Sequence, residues 1–473
     1  MKKKLLPVAM AAALAGGVHN ANAVFVNADG LGQVLLYPFY TTEGGQDTYI
    51  NVVNTTNRVK AVKVRILEAM NSQEVLDFNL YLSPNDHWSA VILASGAGAA
   101  IRTADTSCTV PRSLAAPAEG QTGATVAFRA TEYSLDSING VARTKEGYVE
   151  IIEMGVVPTT LAQGTANIAA AATHVNGVPA NCQLLTTAWG PSGIFRTASL
   201  EAPTGGLYGY GVLIDVEEGT NASYDAIALE DFFSASVHTD PGSLQPSLAQ
   251  ARPDSIVFDS SSVPATAIAD SFDTGIDAVS AVLMHDTLSN DFVLEPLIAA
   301  GTDWVINFPT KRTYVNRGFA GTVANPALPP FSAPWSRVNS RSCEPISINF
   351  YDREERGQAP SDLDFSPLPP GAAPISLCYE ANVITFNESE VLEASSRVRR
   401  NLEVPFNNGW MTINLTGEFA GNLRRIRGDR ADYFGLPVVG FAVQKYVNGQ
   451  LAGGVLSNYA GVINHKFTRS ITD

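Results

Sequence analysis

Apolar and polar side chains change places with period two along the first part of the chain. Ile50 and Val52 share one face; Val62, Val64 and Ile66 share the next; Leu76, Phe78, Leu80 and Leu82 share a third. Lys63, Arg65, Asp77, Asn79 and Ser83 fall on the opposite faces. This alternation predicts antiparallel strands covered on one side, with the polar face toward water. The breaks carry turn chemistry: Asn54-Thr55-Thr56-Asn57, Met70-Asn71-Ser72-Gln73 and Ser83-Pro84-Asn85-Asp86, after which Trp88, Ala90 and Ile92 resume the pattern. Residues 124–133, 147–157 and 207–217 read as further strands, so the first half supplies enough for two facing sheets.

Other periods interrupt the alternation. Residues 160–175 are alanine-rich and helical in pattern, residues 181–189 open on a capping Asn181, and residues 224–233 fit a helix or a loop. Residues 240–254 carry three prolines and read as a linker or excursion. Thr274 and Asp277 form a capping box ahead of an apolar stripe of Ile276, Val279, Val282 and Leu283. Strands return at 303–315, 346–352, 382–388, 409–415 and 437–461, where Asn448-Gly449 is the expected hairpin tip. A proline-rich loop spans 359–374. The expected fold is mainly β, with immunoglobulin-like β-sandwich character and a few helices in the connections. The expected division is a β-sandwich lobe over 24–240, a linker over 241–270 and a helix-plus-β lobe over 271–473.

The first residues bear on compartment. Lys2, Lys3 and Lys4 precede a short apolar stretch over 5–18, and Ala21-Asn22-Ala23 is a cleavage site of A-x-A type. That layout predicts a Sec signal peptide over residues 1–23 and export to the periplasm, outer surface or extracellular space. No later apolar run approaches the roughly 20 residues of a membrane-spanning helix. A barrel of the outer membrane is disfavoured by the capped internal helix and the polar end FTRSITD. Removing the signal takes away three lysines and no acid, so the net charge moves from −15 to −18. A chain this acidic is repelled by phosphate backbones, which argues against nucleic acid.

Cys108, Cys182, Cys343 and Cys378 then sit in an oxidising space, where disulfides are expected. Of the three pairings, Cys108–Cys182 with Cys343–Cys378 is preferred, because each closes a loop within one half. No C-x-x-C, H-E-x-x-H, G-x-S-x-G or P-loop spacing occurs. Gly206, Gly209 and Gly211 lie inside a β pattern and read as close packing rather than a phosphate cradle. His87, His174, His238, His285 and His465 share no ligand spacing, and no catalytic residue is assigned.

The best site candidate is the acidic cluster Asp352, Glu354, Glu355, Asp362 and Asp364, at the end of a strand and in the loop after it. Oxygen ligands of this kind suit a structural Ca²⁺, and a carboxylate pair suits general acid–base work on glycans. Arg353 and Arg356 interleave with them, as in a solvated charged loop. Trp335, in a proline-rich stretch, is expected to be exposed. Lys311 and Arg312, after Trp304, Ile306 and Phe308, read as the polar exit of an inward-facing strand or as a basic spot. No other cofactor is expected.

The segments LSPNDHWSA, DTSCTVP, GVPANCQLLTTAW, TDWVINFPTKR, RSCEPISINFYDREE and LCYEANVITF resemble a family of uncharacterised secreted proteins of Gram-negative bacteria. The N-terminal part also resembles immunoglobulin-like envelope modules. The resemblance implies export and places all four cysteines in recurring segments; it implies no activity. The functional expectation is a non-catalytic exported protein acting through its surface, in adhesion, matrix or filament assembly. Its partner would be a protein or a cell-surface polysaccharide, or further copies of itself. The alternative is a glycan-binding or glycan-hydrolysing protein that uses the loop near 352–364.

Overall fold

Four sheets carry the architecture, in a computed structural model that describes residues 22–160, 167–259, 265–358, 375–418, 421, 423–450, 454 and 456–472. The chain is mainly β, 46% strand and 11% helix, in open antiparallel sheets consistent with β-sandwiches and without a closed barrel. The first sheet runs Phe25–Val26, Ile227–Glu230, Val34–Thr41, Glu146–Val156, Lys60–Glu68, Glu74–Leu82 and Cys108–Val110. The second runs Thr220–Asp225, Tyr210–Asp215, Gln46–Asn54, His87–Ser95, Gly98–Arg102 and Val126–Ala127. The third is Gly357–Gln358, Ser347–Asp352, Asn408–Asn414, Thr287–Val293 and Lys466–Thr468. The fourth is Arg399–Leu402, Ala381–Phe386, Ala300–Asn307, Val439–Gln450 and Leu456–Asn464, antiparallel but for its first pair.

Alternation puts the apolar face of each strand into a shared core. Val62, Val64, Ile66, Phe78 and Leu80 of the first sheet meet Trp88 and Ile92 of the second. Leu288, Phe292, Met411 and Ile413 of the third meet Trp304, Ile306 and Phe386 of the fourth. The other face of the fourth sheet is not free. Val305, Val383, Phe441 and Val443 join the first core, and Phe441 stacks on Tyr224 at 4.6 Å. The two sandwiches therefore share a wall.

The polar face of the first sheet is also covered, contrary to the expectation from alternation. Every residue of Lys60–Glu68 is buried. Lys63 donates to Asp77 (3.0 Å) and to the Asp240 carbonyl (2.8 Å), and Asn79 donates to the Thr239 carbonyl (2.9 Å). The segment beginning at Thr239 thus lies over this face. The expected linker carries structure of its own: Asp254–Asp259 pairs with Thr266–Ser271, and Val24 adds alongside through Asp254. Of the expected signal peptide, all but Asn22 and Ala23 lies outside the described residues.

Several expected elements change type. Residues 224–233 form the end of Thr220–Asp225 and the strand Ile227–Glu230. The helix at 160–175 is confined to Ile168–Ala172 among the described residues. It gives way to a hairpin, His174–Val175 with Val178–Pro179, whose two-residue turn is Asn176-Gly177, both at positive φ. Asn448-Gly449 is instead a bulge. Pairing passes from Val447↔Asn458 to Gln450↔Leu456, so the hairpin closes beyond it. The strand expected over 303–315 stops at Asn307, and Lys311–Val315 is helical. The helices Cys182–Ala188 and Gly275–Leu283 open on Asn181 and Thr274 as expected. Disulfides join Cys108 to Cys182 and Cys343 to Cys378. No described helix is long and apolar enough to cross a membrane.

One buried carboxylate ties the two lobes together. Glu68 accepts from the backbone N–H of Met70 (2.7 Å), Asn71 (3.0 Å) and Gln73 (2.9 Å), and from Arg143 at 2.6 and 2.8 Å. Burial pushes its carboxyl up, but Arg143 and the backbone donors outweigh burial and hold it below the ordinary value. Arg143 also reaches Asp136 (2.7 Å), which accepts from the indole of Trp335 in the C-terminal lobe (3.2 Å). The turn that Glu68 shapes offers the Ala69 carbonyl to Ala381 and the Ser72 carbonyl to Arg312.

Arg143→Ala leaves Glu68 buried without its guanidinium, and breaking such a pair costs about 3–5 kcal/mol. Urea unfolding should show that loss, and Arg143→Met with Glu68→Gln should recover much of it. A single-variant loss below about 1 kcal/mol, the range of an exposed pair, would show that the pair is not a buried tie.

Stability should also fall in alkali. Burial pushes Glu380 up to about 8, Glu146 to about 7 and Asp303 to about 6. Both carboxyl oxygens of Glu380 are buried without a hydrogen-bond partner. Each group binds its proton more tightly folded than unfolded, so its contribution is whole below about pH 4 and is lost as pH rises through 6 to 8. Buried His238 and His465 are pushed down to about 3 and about 4, so their contribution is whole above 6.5 and lost as pH falls through those values. The urea midpoint should peak between about pH 5 and 6. Glu380→Gln should match the parent at pH 5 and exceed it at about pH 9; equal midpoints at both would refute the assignment.

Candidate functional site

The strand Ser347–Asp352 alternates cleanly. Ile348 and Phe350 point into the core, while Ser347, Asn349 and Tyr351 face outward. Asn408–Asn414 and Thr287–Val293 do the same with Trp410, Thr412 and Asn414, and with Thr287, Ser289 and Asp291. Register aligns these outward residues in rows. One row is Tyr351, Trp410 and Asp291; the next is Asn349, Thr412, Ser289 and Lys466; the third is Ser347, Asn414, Thr287 and Thr468.

In the first row the Tyr351 and Trp410 rings stack at 4.5 Å and 18°. Trp410 stays 43% exposed. With one ring face against Tyr351, its other face is turned to the Asp291 side of the row, since side chains stand off a sheet in register. Asp291 is exposed, and its carbonyl is fixed by the buried Trp304 indole (3.1 Å). The result is an aromatic ridge on a sheet face otherwise made mostly of small hydroxyl and amide side chains, with Asp291 and Lys466 its charged members.

The acidic loop adjoins this ridge. Asp352 follows Tyr351 and ends the strand. Its carboxylate accepts from the backbone N–H of Glu354 (2.9 Å) and Arg356 (2.8 Å) and from the Arg356 guanidinium (2.7 Å). Desolvation pushes the carboxyl up, but these donors together outweigh it and hold the group below its ordinary value. Glu355 takes positive φ in the turn they close. Arg353, Glu354 and Arg356 are exposed. A cavity of about 270 Å³ between this turn and the Pro405–Asn408 stretch is also lined by Glu295. Asp362 and Asp364 lie outside the described residues. Among the described residues no group of three His, Cys, Asp or Glu is placed to hold a metal ion.

Trp335 does not belong to this surface. It is 1% exposed and packs in the C-terminal core with its indole on Asp136, contrary to its expected exposure. Lys311 is likewise internal, donating to the Ser342 (2.7 Å) and Tyr379 (3.3 Å) carbonyls. The aromatic partner of the acidic loop is Trp410. Its outward parity within 409–415 is legible in sequence, but the register that sets it beside Tyr351 is not.

A histidine constellation near the first disulfide is a clasp. Ser83 Oγ lies 2.7 Å and Asp86 Oδ2 3.8 Å from the same nitrogen, His174 Nδ1, while Thr106 Oγ1 is 3.2 Å from Nε2. A proton relay to Ser83 needs the orienting carboxylate on the opposite nitrogen. Ser83 Oγ is also engaged with the Ala172 carbonyl and the His174 N–H, which seats the hairpin at Asn176-Gly177. No protein-family model, curated protein sequence or solved structure matches the chain.

Proposed function

We propose that this is an exported, non-catalytic protein that acts through its surface, as an adhesion or matrix component, by holding polysaccharide on the outer face of the third sheet. The observation that carries the reading is the exposed Tyr351–Trp410 stack set among rows of hydroxyl and amide side chains. A pyranose ring has a polarised C–H face, which the negative face of an aromatic ring attracts, and a rim of hydroxyls. Asn349, Thr412, Ser289 and Asp291 stand within the same and adjacent rows to meet that rim. The charge of the mature chain favours neutral or amino-bearing glycans over acidic ones.

Two disulfides fit an oxidising compartment, and the signal layout at the N-terminus supports export. Strand addition at open edges is less well supported as a means of assembly. The third sheet ends in two- and three-residue strands, the latter carrying Lys466. The long edge strand Leu456–Asn464 runs beside the second sheet, with Asn458 donating to the Glu218 carbonyl (2.8 Å). Surface action therefore rests on a face. Asp352 serves the turn, so hydrolysis at that loop is not the reading.

The mature protein should deplete from solution onto insoluble neutral polysaccharides such as cellulose, chitin or β-glucan. Trp410→Ala and Tyr351→Ala should each weaken binding about tenfold, the effect of about 1.4 kcal/mol, with urea midpoints near the parent's. Absence of binding across the panel, or binding unchanged in both variants, would refute this function.

A further inference from the structure

Between the lobes, on the covered face of the first sheet, lies a cavity of about 390 Å³ that the glycan reading does not use. One wall is charged. Arg65, 7% exposed, donates through Nε to Glu74 (2.8 Å) and through Nη1 to Glu150. Two carboxylates thus share one guanidinium. The opposite wall comes from the second lobe and carries Arg312. Its Nη1 donates to the Ser72 carbonyl (2.8 Å), and among the described residues no carboxylate pairs with it. Asn316, one helical turn on, also lines the space, and its Oδ1 is buried without a partner. Leu248 and Ile276 close one side, and the mouth is marked by exposed Glu132 and Thr313.

The cavity therefore has two poles. The Arg65 triad offers one more carboxylate than guanidinium, and Arg312 offers a guanidinium with donors to spare. No ion pair joins them across the gap among the described residues. Burial drives both carboxyls of the triad toward their neutral forms and lowers the Arg312 guanidinium, so each pole gains from an opposite charge brought to it.

We propose that this inter-lobe cavity binds a small zwitterion bearing a primary ammonium and a carboxylate, of amino-acid or dipeptide size. The carboxylate lies on Arg312 in the charge-assisted manner that guanidinium favours, and the ammonium lies on Glu74 and Glu150. Asn316 Oδ1 accepts from the ammonium or from a peptide N–H. Leu248 and Ile276 meet the side chain, which favours apolar members of the class.

The test is titration calorimetry and thermal shift on the full mature chain at neutral pH, with the proteinogenic amino acids and simple dipeptides at millimolar concentration. At least one apolar zwitterion should bind and raise Tm. Its methyl ester and its N-acetyl derivative, each lacking one charge, should bind at least about tenfold more weakly. Arg312→Gln should lose the carboxylate-dependent part, so that acid and ester bind alike. No binding across the panel overturns the proposal. Binding that survives both charge-blocked derivatives also overturns it, and that arm does not depend on the folding of any variant.

Discussion

A sheet covered on both faces must neutralise every charge it buries. That constraint organises this molecule. The first sheet contributes an apolar face to one core and lies under the Thr239 segment and the second lobe with the other. Lys60, Lys63, Arg65 and Arg143 are all buried, and each has a carboxylate: Glu153, Asp77, Glu74 with Glu150, and Glu68 with Asp136. Such pairs are weak sources of stability compared with apolar packing, but breaking one strands a charge. They fix which partner surfaces fit, because only a segment offering the right carbonyls and N–H groups can close over them. Asp240, Gly242 and Thr239 do so over part of that face, and Arg312 and Trp335 are placed through the Glu68–Arg143 hub.

The same constraint sorts structural from functional chemistry. Many of the buried titratable groups are used in closing the sandwiches: Lys311 holds two carbonyls and His465 the Val305 carbonyl, while the half-buried His174 holds a serine clasp. The third sheet is the outer layer, with nothing over its far face among the described residues. Its outward rows follow a different rule, in which small polar side chains surround one exposed aromatic stack. Large apolar groups left on a soluble surface are where partners attach. The fold thus separates a charged interior that joins lobes from an outer face of mostly small polar side chains, the face proposed to hold a ligand.

Much of this was legible in the alternation. Val62, Val64 and Ile66, and Leu76 through Leu82, face the core as their parity requires, and Asn181 and Thr274 cap the helices that follow them. What alternation cannot show is whether the polar face is wet. Lys63 and Arg65 have the parity of solvent-facing residues, and only the partners at distant Glu150 and Asp240 reveal their burial. Turn chemistry was ambiguous for a related reason. Asn176-Gly177 and Asn448-Gly449 are the same dipeptide, but the first sits between two-residue strands with nothing to extend, and the second lies in a long strand whose pairing with Leu456–Asn464 continues past it. Trp335 was misplaced because a proline-rich stretch looks exposed locally, while Asp136, some two hundred residues away, supplies its buried acceptor. The acidic loop was found by composition; its aromatic neighbour Trp410 required strand register.

Native-state hydrogen exchange followed by mass spectrometry addresses the shared wall most directly. Amides of Lys60–Glu68 in the first lobe and of Ala300–Asn307 in the second should exchange only through a common opening, with the same free energy and the same denaturant dependence. If Ala300–Asn307 opens in a separate step at markedly lower free energy while Lys60–Glu68 stays protected, the two lobes do not share one core.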